Sequence, residues 1–390
     1  MSRIAPLLAV AGLALVTACA GTTTVEEPAG SSSGRSVQAP REDVPSALDD
    51  PRNDTFPDPL IDLDDLLSGG PPPDGIPPID EPRFEPAGTV DWLEGDEPVL
   101  SLTVAGETRA YPLRVMTWHE IVNDEVGGVP VAVTFCPLCT SGVAFLRTVA
   151  DRGVLSFGTS GQLYADNLVM YDRQTESLWP QLTGVASVGA LTGTALEAIP
   201  MGTVGWRDFA AAHPEALVLS QDTGFARPYG TNPYAGYDDP DGRLLFALPG
   251  DPDTRLSVKE RVVGVSDGSD AVAVRRASLV GRGPLELTVG SRDVVLWHRP
   301  GQASALDTSR IADGAEIGSV GVFEPLVGDR LLHFELRGED IVDRETGSRW
   351  DVLGRATSGP LDGAELTPSL FLDTFWFAWV AFHPDTRLVP

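Results

Sequence analysis

Asp172-Arg173-Gln174-Thr175-Glu176-Ser177-Leu178-Trp179 recurs as Asp343-Arg344-Glu345-Thr346-Gly347-Ser348-Arg349-Trp350. The echo continues downstream. Leu191-Thr192-Gly193-Thr194-Ala195-Leu196 returns as Leu361-Asp362-Gly363-Ala364-Glu365-Leu366. Trp206 stands seven positions before His213-Pro214, and Trp376 stands seven before His383-Pro384. Upstream, Val131 to Phe135 aligns with Asp293 to Trp297. Matches in one order at nearly constant spacing mark an internal duplication. The reading is two homologous tandem domains, residues 75–222 and 255–390, joined by a connector at 223–254.

Each copy reads as mainly β, a β-rich α+β domain with small helices. Pro98 to Val104 and Glu107 to Tyr111 flank Ala105-Gly106, a hairpin signal. Val129 to Phe135 is a β-branched run, and Gly142 to Thr148, Val154 to Phe157 and Asn167 to Tyr171 continue the pattern. Helices are expected over Leu113 to Val122, behind Pro112, and over Thr203 to Ala212, with Thr203 as N-cap and Pro214 as stop.

Composition narrows the function. The 390 residues carry a net charge of −28, and Lys259 is the only lysine. A nucleic-acid partner is excluded on this balance, since phosphate contacts need clustered basic residues.

The amino end reads as an export signal. Ile4 to Val16 is apolar, too short to span a bilayer, and follows Arg3. Val16-Thr17-Ala18-Cys19 then resembles a bacterial lipobox. Residues 1–18 are therefore expected to be a lipoprotein signal peptide and Cys19 the lipidated residue. The membrane, through that anchor, is one expected partner, and the location is the extracytoplasmic face of the cell envelope. Residues 19–74, rich in Ser, Thr, Pro and acidic groups, are expected to form a flexible tether.

Two of the three cysteines then remain, Cys136 and Cys139 in Cys-Pro-Leu-Cys. A bridge across so short a loop stabilises little, so a functional pair is the favoured reading. One possibility is a soft-metal site. Cys136, Cys139, His119 and Met170 make a sulfur and nitrogen set that suits copper, with zinc second. His119 and Asn123 would share a helix face with Met116. Glu120, Asn123, Asp172 and Arg173 are candidate supporting residues. A second possibility is a thiol–disulfide oxidoreductase with Cys136 and Cys139 as catalytic groups, although Thr140-Ser141-Gly142 is a poor helix start. A third is a non-catalytic envelope scaffold. An envelope metal-handling or redox partner follows from the first two.

In the second copy Cys136 aligns with His298 and Cys139 with Gly301, so the first copy is the better site for chemistry. Retention of the Asp172-Arg173 pair in both copies favours a structural turn there. Phe157-Gly158-Thr159-Ser160-Gly161 lacks the spacing of a phosphate loop. The tyrosines of Thr223 to Asp241 are expected to pack across the domain interface.

These runs resemble the prokaryotic family DUF3179, a domain of unknown function. The resemblance rests on Ala110-Tyr111-Pro112-Leu113, Thr117 to Asp124, Gly127 to Val131, Cys136 to Cys139, Phe157 to Gly161 and Asn167 to Thr175. It implies no established reaction. It does imply that His119, Cys136, Cys139, Met170 and Asp172 belong to signature runs, and that Asn is the expected residue where this chain has Thr140.

Overall fold

The computed structural model describes residues 41–389. Three sheets built from the first half of that span recur, with the same strand orders, in the second.

The first sheet starts from the hairpin Pro98–Val104 and Glu107–Pro112. Met201–Gly205 joins one edge antiparallel, and Leu217–Leu219 joins the other in parallel. In the second half the hairpin Arg261–Ser266 and Ala271–Arg275 takes Leu372–Phe375 antiparallel and Arg387–Val389 in parallel. A second sheet orders Ser141–Leu146, Val129–Cys136 and Ile121–Val126, matched by Ser319–Phe323, Arg292–Arg299 and Leu285–Val289. A third contains Phe157–Tyr164, Asn167–Asp172 and Leu178–Pro180, matched by Phe334–Arg337, Asp340–Asp343 and Arg349–Trp350. The protein is mainly β, as its alternating and β-branched runs require.

Among the described residues there are three short α-helices, α1 (Leu113–His119), α2 (Trp206–Ala212) and α3 (Trp376–Phe382). α1 ends three residues earlier than its apolar run suggested. Glu120 turns into the left-handed region at φ 60°, and β-branched Ile121 and Val122 pair with Thr134 and Val133 instead. α2 begins at Trp206, because Met201–Gly205 is taken up as a strand; Gly205, not Thr203, is its N-cap. α2 and α3 occupy equivalent places, each following an edge strand of its half.

The two halves do not keep separate cores. One apolar cluster joins Cys136, Phe157 and Trp179 to Leu306, Phe375 and Phe377. Another joins Val99, Trp206 and Phe209 to Trp297, Phe323 and Trp350. The contacts are reciprocal: the Phe375 and Thr374 donors reach the Cys139 carbonyl, and the Gly205 amide reaches Ser319 Oγ.

Two expectations need adjusting. The span expected as a tether is packed from residue 41 onward. Ala47 is buried, and Leu48, Phe56, Ile61 and Leu63 cover Val169, Tyr171 and Leu178. Leu66–Ser68 adds a strand beside Gln162 to Tyr164. Scattered apolar residues suffice when a folded surface offers them a groove. The alignment of the copies also shifts by one residue. The hairpin turns place Val129 level with Arg292, and Cys136 faces Ser141 as Arg299 faces Ser319. Cys136 therefore corresponds to Arg299, not His298. The tight turn after Cys136 is replaced by the long loop from Pro300 to Gly318, whose Ala305, Leu306 and Ile311 pack into cores of the first half. The signal peptide and Cys19 lie outside the described residues.

Candidate functional site

Val129–Cys136 and Ser141–Leu146 form a hairpin whose turn is Pro137 to Thr140. Pro137 restricts the entry, and Thr140 closes the turn at φ 53°. The turn carries both cysteines inward. Cys136 is 1% exposed and Cys139 fully buried, and both are free thiols. Burial, then the neighbouring Cys139, pushes the Cys136 thiol well up from its ordinary range.

The sulfurs receive donors from two successive residues. The Leu168 amide points at Cys136 Sγ at 3.4 Å, and Asn167 Nδ2 donates to Cys139 Sγ at 3.1 Å. Ser141 Oγ lies 3.2 Å from Cys139 Sγ. Gln181 fixes these groups: its Oε1 accepts from Ser141 Oγ and Asn167 Nδ2, and its Nε2 donates to Thr134 Oγ1 at 3.0 Å. Met170 is fully buried in the same apolar cluster as both cysteines.

The connector covers this site. Tyr234, Tyr237, Leu244, Phe246 and Leu248 pack on the cluster that holds the cysteines. Tyr237 donates its hydroxyl to Asp166 Oδ2 at 2.9 Å. Lys259, 1% exposed, donates to the Tyr237 carbonyl, and its ammonium lies 4.2 Å from the Tyr237 ring centroid. Burial raises the Asp166 carboxyl to about 7. Arg261 of the second half ties the pieces together, donating to Thr140 Oγ1 at 3.1 Å, Ser304 Oγ at 2.9 Å and Asp238 Oδ2 at 3.3 Å. The expectation that the connector tyrosines lie between the halves matches these contacts.

The other residues singled out are placed as follows. His119 ends α1 and has both ring nitrogens engaged. Nδ1 donates to the Pro77 carbonyl and Nε2 accepts from the Tyr229 hydroxyl, each at 2.6 Å. Burial lowers its pKa, so it is neutral. No hydrogen bond joins it to either cysteine. Glu120 is buried close enough for its charge to be felt at Cys136 and Tyr234, and burial raises its carboxyl to about 8. Asn123 lies in a strand rather than on α1, and clasps Phe157 through both its amide and carbonyl. Asp172 accepts from the Thr175 and Ser177 amides and from the Trp179 indole. Asp343 makes the same bonds to Thr346, Ser348 and Trp350. Arg173 pairs with Asp74 and Asp80 instead of Asp172. The run is a structural turn in both halves.

Asn167, Ser141, Gln181, Asp166 and Lys259 went unremarked as site residues in the sequence. Two signals were present: a polar Asn opening the mainly apolar run Asn167 to Tyr171, and a single lysine in the whole chain. Among the described residues no group of three or more His, Cys, Asp and Glu side chains is arranged to hold a metal ion, and no helix is long and apolar enough to cross a membrane.

The site thus defines a mainly β protein with a buried, donor-lined CxxC turn. The family model described as protein of unknown function (DUF3179) matches residues 73–386, and the chain belongs to that family. Searches of curated proteins and of solved structures gave no match.

Proposed function

We propose that the Cys136–Cys139 turn binds a soft metal ion, copper(I) first and zinc second, with the two sulfurs as ligands and Met170, in the same apolar cluster, as a further soft donor. One observation carries this reading: successive residues of one strand direct N–H groups at two adjacent sulfurs. Donors of that kind stabilise sulfur as it becomes thiolate on metal binding. Two thiolates and a thioether suit a soft ion that accepts few ligands. His119, committed to Pro77 and Tyr229, falls outside this ligand set.

The raised pKa of Cys136 means that the ion must displace thiol protons on entry. Binding then tightens as pH rises. The test is a copper(I) titration of the reduced full chain against a chromophoric competitor, beside Cys136→Ser/Cys139→Ser. One copper per wild-type chain and none in the double variant is the expected result. Equal binding by both proteins overturns the reading.

A dithiol–disulfide exchanger is the second reading, favoured by two free thiols in one short turn. There the pair would give up two electrons and two protons to a partner disulfide, which becomes two thiols. It predicts insulin reduction that Cys139→Ser abolishes. Burial of both sulfurs and the raised Cys136 pKa speak against it. If both tests are negative, an inert envelope scaffold remains.

The same proposal includes the setting. The chain would be a duplicated pair of repeats, held at the outer face of the envelope by lipid on Cys19, where it would meet a metal-handling partner. The repeated strand orders support the first element. Loss of acyl labelling in Cys19→Ala would support the second, and retained labelling would refute it.

A further inference from the structure

The position that holds Cys136 in the first half is occupied by Arg299 in the second. The surroundings correspond as well. The Leu168 amide meets Cys136 Sγ, and Arg299 Nη1 donates to the Glu339 carbonyl at 2.8 Å. Leu168 stands four residues before Asp172, and Glu339 four before Asp343. Residues Phe377 and Ala378 of α3 pack on the cysteine site, while Asp208, Ala211 and Ala212 of α2 line the space around Arg299. That space is a cleft of about 430 Å³. The difference lies in the cover: the connector packs over the cysteines, and none of its residues lines the cleft.

The cleft carries charges of both signs, some paired and some not. Arg349 and Asp340 pair within it at 3.3 Å. Here Arg299 and Arg355 share the cleft with Asp208, Asp351 and Asp362. Among the described residues none of these five forms an ion pair. Asp351 is satisfied by the Leu353 and Arg355 amides, and Arg355 Nη1 donates to the Ala212 carbonyl. Arg299 and Asp208 remain half-buried and unpaired, each within the other's field. Opposite charges that line one concavity without collapsing onto each other leave both signs available to a ligand.

We infer that this cleft binds a small dipolar molecule, an amino acid or dipeptide, with its carboxylate at Arg299 and its ammonium at Asp208. The volume lies within the range of small-ligand pockets and is too small for a long peptide. The inference does not depend on metal binding at the cysteines.

The test is a thermal-shift screen of the full chain with the standard amino acids and a set of their dipeptides, followed by calorimetric titration of any hit. A binder stabilises the folded state by mass action, so a saturable rise in melting temperature is expected. Arg299→Ala and Asp208→Asn should each weaken binding by about tenfold or more, the cost of one charged hydrogen bond. N-acetylated and amidated forms of the hit should bind the unaltered protein as weakly, which keeps the test valid if a variant misfolds. Cys136→Ser/Cys139→Ser should bind normally. The inference is overturned if no compound shifts the melting temperature, if both variants bind as the wild type does, or if the N-acetylated hit binds undiminished.

Discussion

Asp172 and Asp343 offer a matched experiment within one chain. Each is fully buried. Each accepts from two amides, one threonine hydroxyl and one indole, at distances that differ by 0.2 Å or less between the copies. Replacing either by Ala strands two buried N–H groups and an indole N–H. A buried donor left without a partner costs about 1–3 kcal/mol, and the threonine hydroxyl can turn to the neighbouring serine. Some of the loss returns because a buried carboxylate no longer has to be desolvated. The expected cost of Asp172→Ala is therefore about 3–5 kcal/mol, with Asp343→Ala within about 1 kcal/mol of it. Urea unfolding followed by tryptophan fluorescence measures both, since Trp179 and Trp350 sit in the affected turns. Copper binding by folded Asp172→Ala should be unchanged. A loss below about 1 kcal/mol at either site would refute the hydrogen-bond accounting. A folded Asp172→Ala that no longer binds metal would show that the turn is part of the site.

Four further outcomes are expected. Thr140 holds φ 53° although β-branched, so Thr140→Asn should raise stability by about 0.5–1 kcal/mol despite losing the Arg261 bond to its hydroxyl; a lower urea midpoint would refute this. Because apolar clusters span both halves, calorimetry should show one cooperative transition over residues 41–389; two separable transitions would contradict the shared core. Burial places the Glu120 carboxyl at about 8 against an ordinary 4.5, so the folded state holds a proton that the unfolded chain releases. Stability should therefore fall as pH rises from about 4.5 to about 8 and then level off, and Glu120→Gln should remove a drop on the order of a few kcal/mol; unfolding midpoints with the same pH dependence in both proteins would rule this out. Arg261→Ala should speed maleimide labelling of the cysteines about tenfold by releasing Thr140, Ser304 and Asp238 together; an unchanged rate would mean that Arg261 does not hold the cover down.

The fold class was legible because strand signals are local. Ala105-Gly106 announces a hairpin that forms as read. The recurring Asp turn was legible because turn chemistry fixes residue types: an Asp that accepts from residues three and five ahead needs Thr and Ser or their like at those places. The site was legible only in its cysteines. Asn167 reaches Cys139 Sγ, and Gln181 holds Asn167 and Ser141 in place, across long sequence separations that no local spacing predicts. His119 was misread for a related reason. Its helix ends where Glu120 takes a left-handed conformation, and that reversal aims the ring at Pro77 and Tyr229. The one-residue slip in aligning the copies has a physical cause too. Phe135 and Trp297 match in chemistry, but hairpin turns, not aromatic residues, set the register.

The way the cysteines are covered bears on how anything reaches them. The connector contributes no strand to the sheets among the described residues. It is held by apolar contacts and by many polar ones, among them the Asn232, Gly236 and Tyr237 amides on the Ser309, Asp307 and Leu306 carbonyls, Tyr229 to His119, Tyr237 to Asp166 and Arg261 to Asp238. The counterpart cleft lacks such a cover, and at its core stands a guanidinium where the first half has a thiol. One architecture thus presents a closed, soft, sulfur-lined position and an open, charged one. The exchange of Cys136 for Arg299 accounts for the difference in chemistry, and the connector, which packs over the cysteines alone, accounts for the difference in cover.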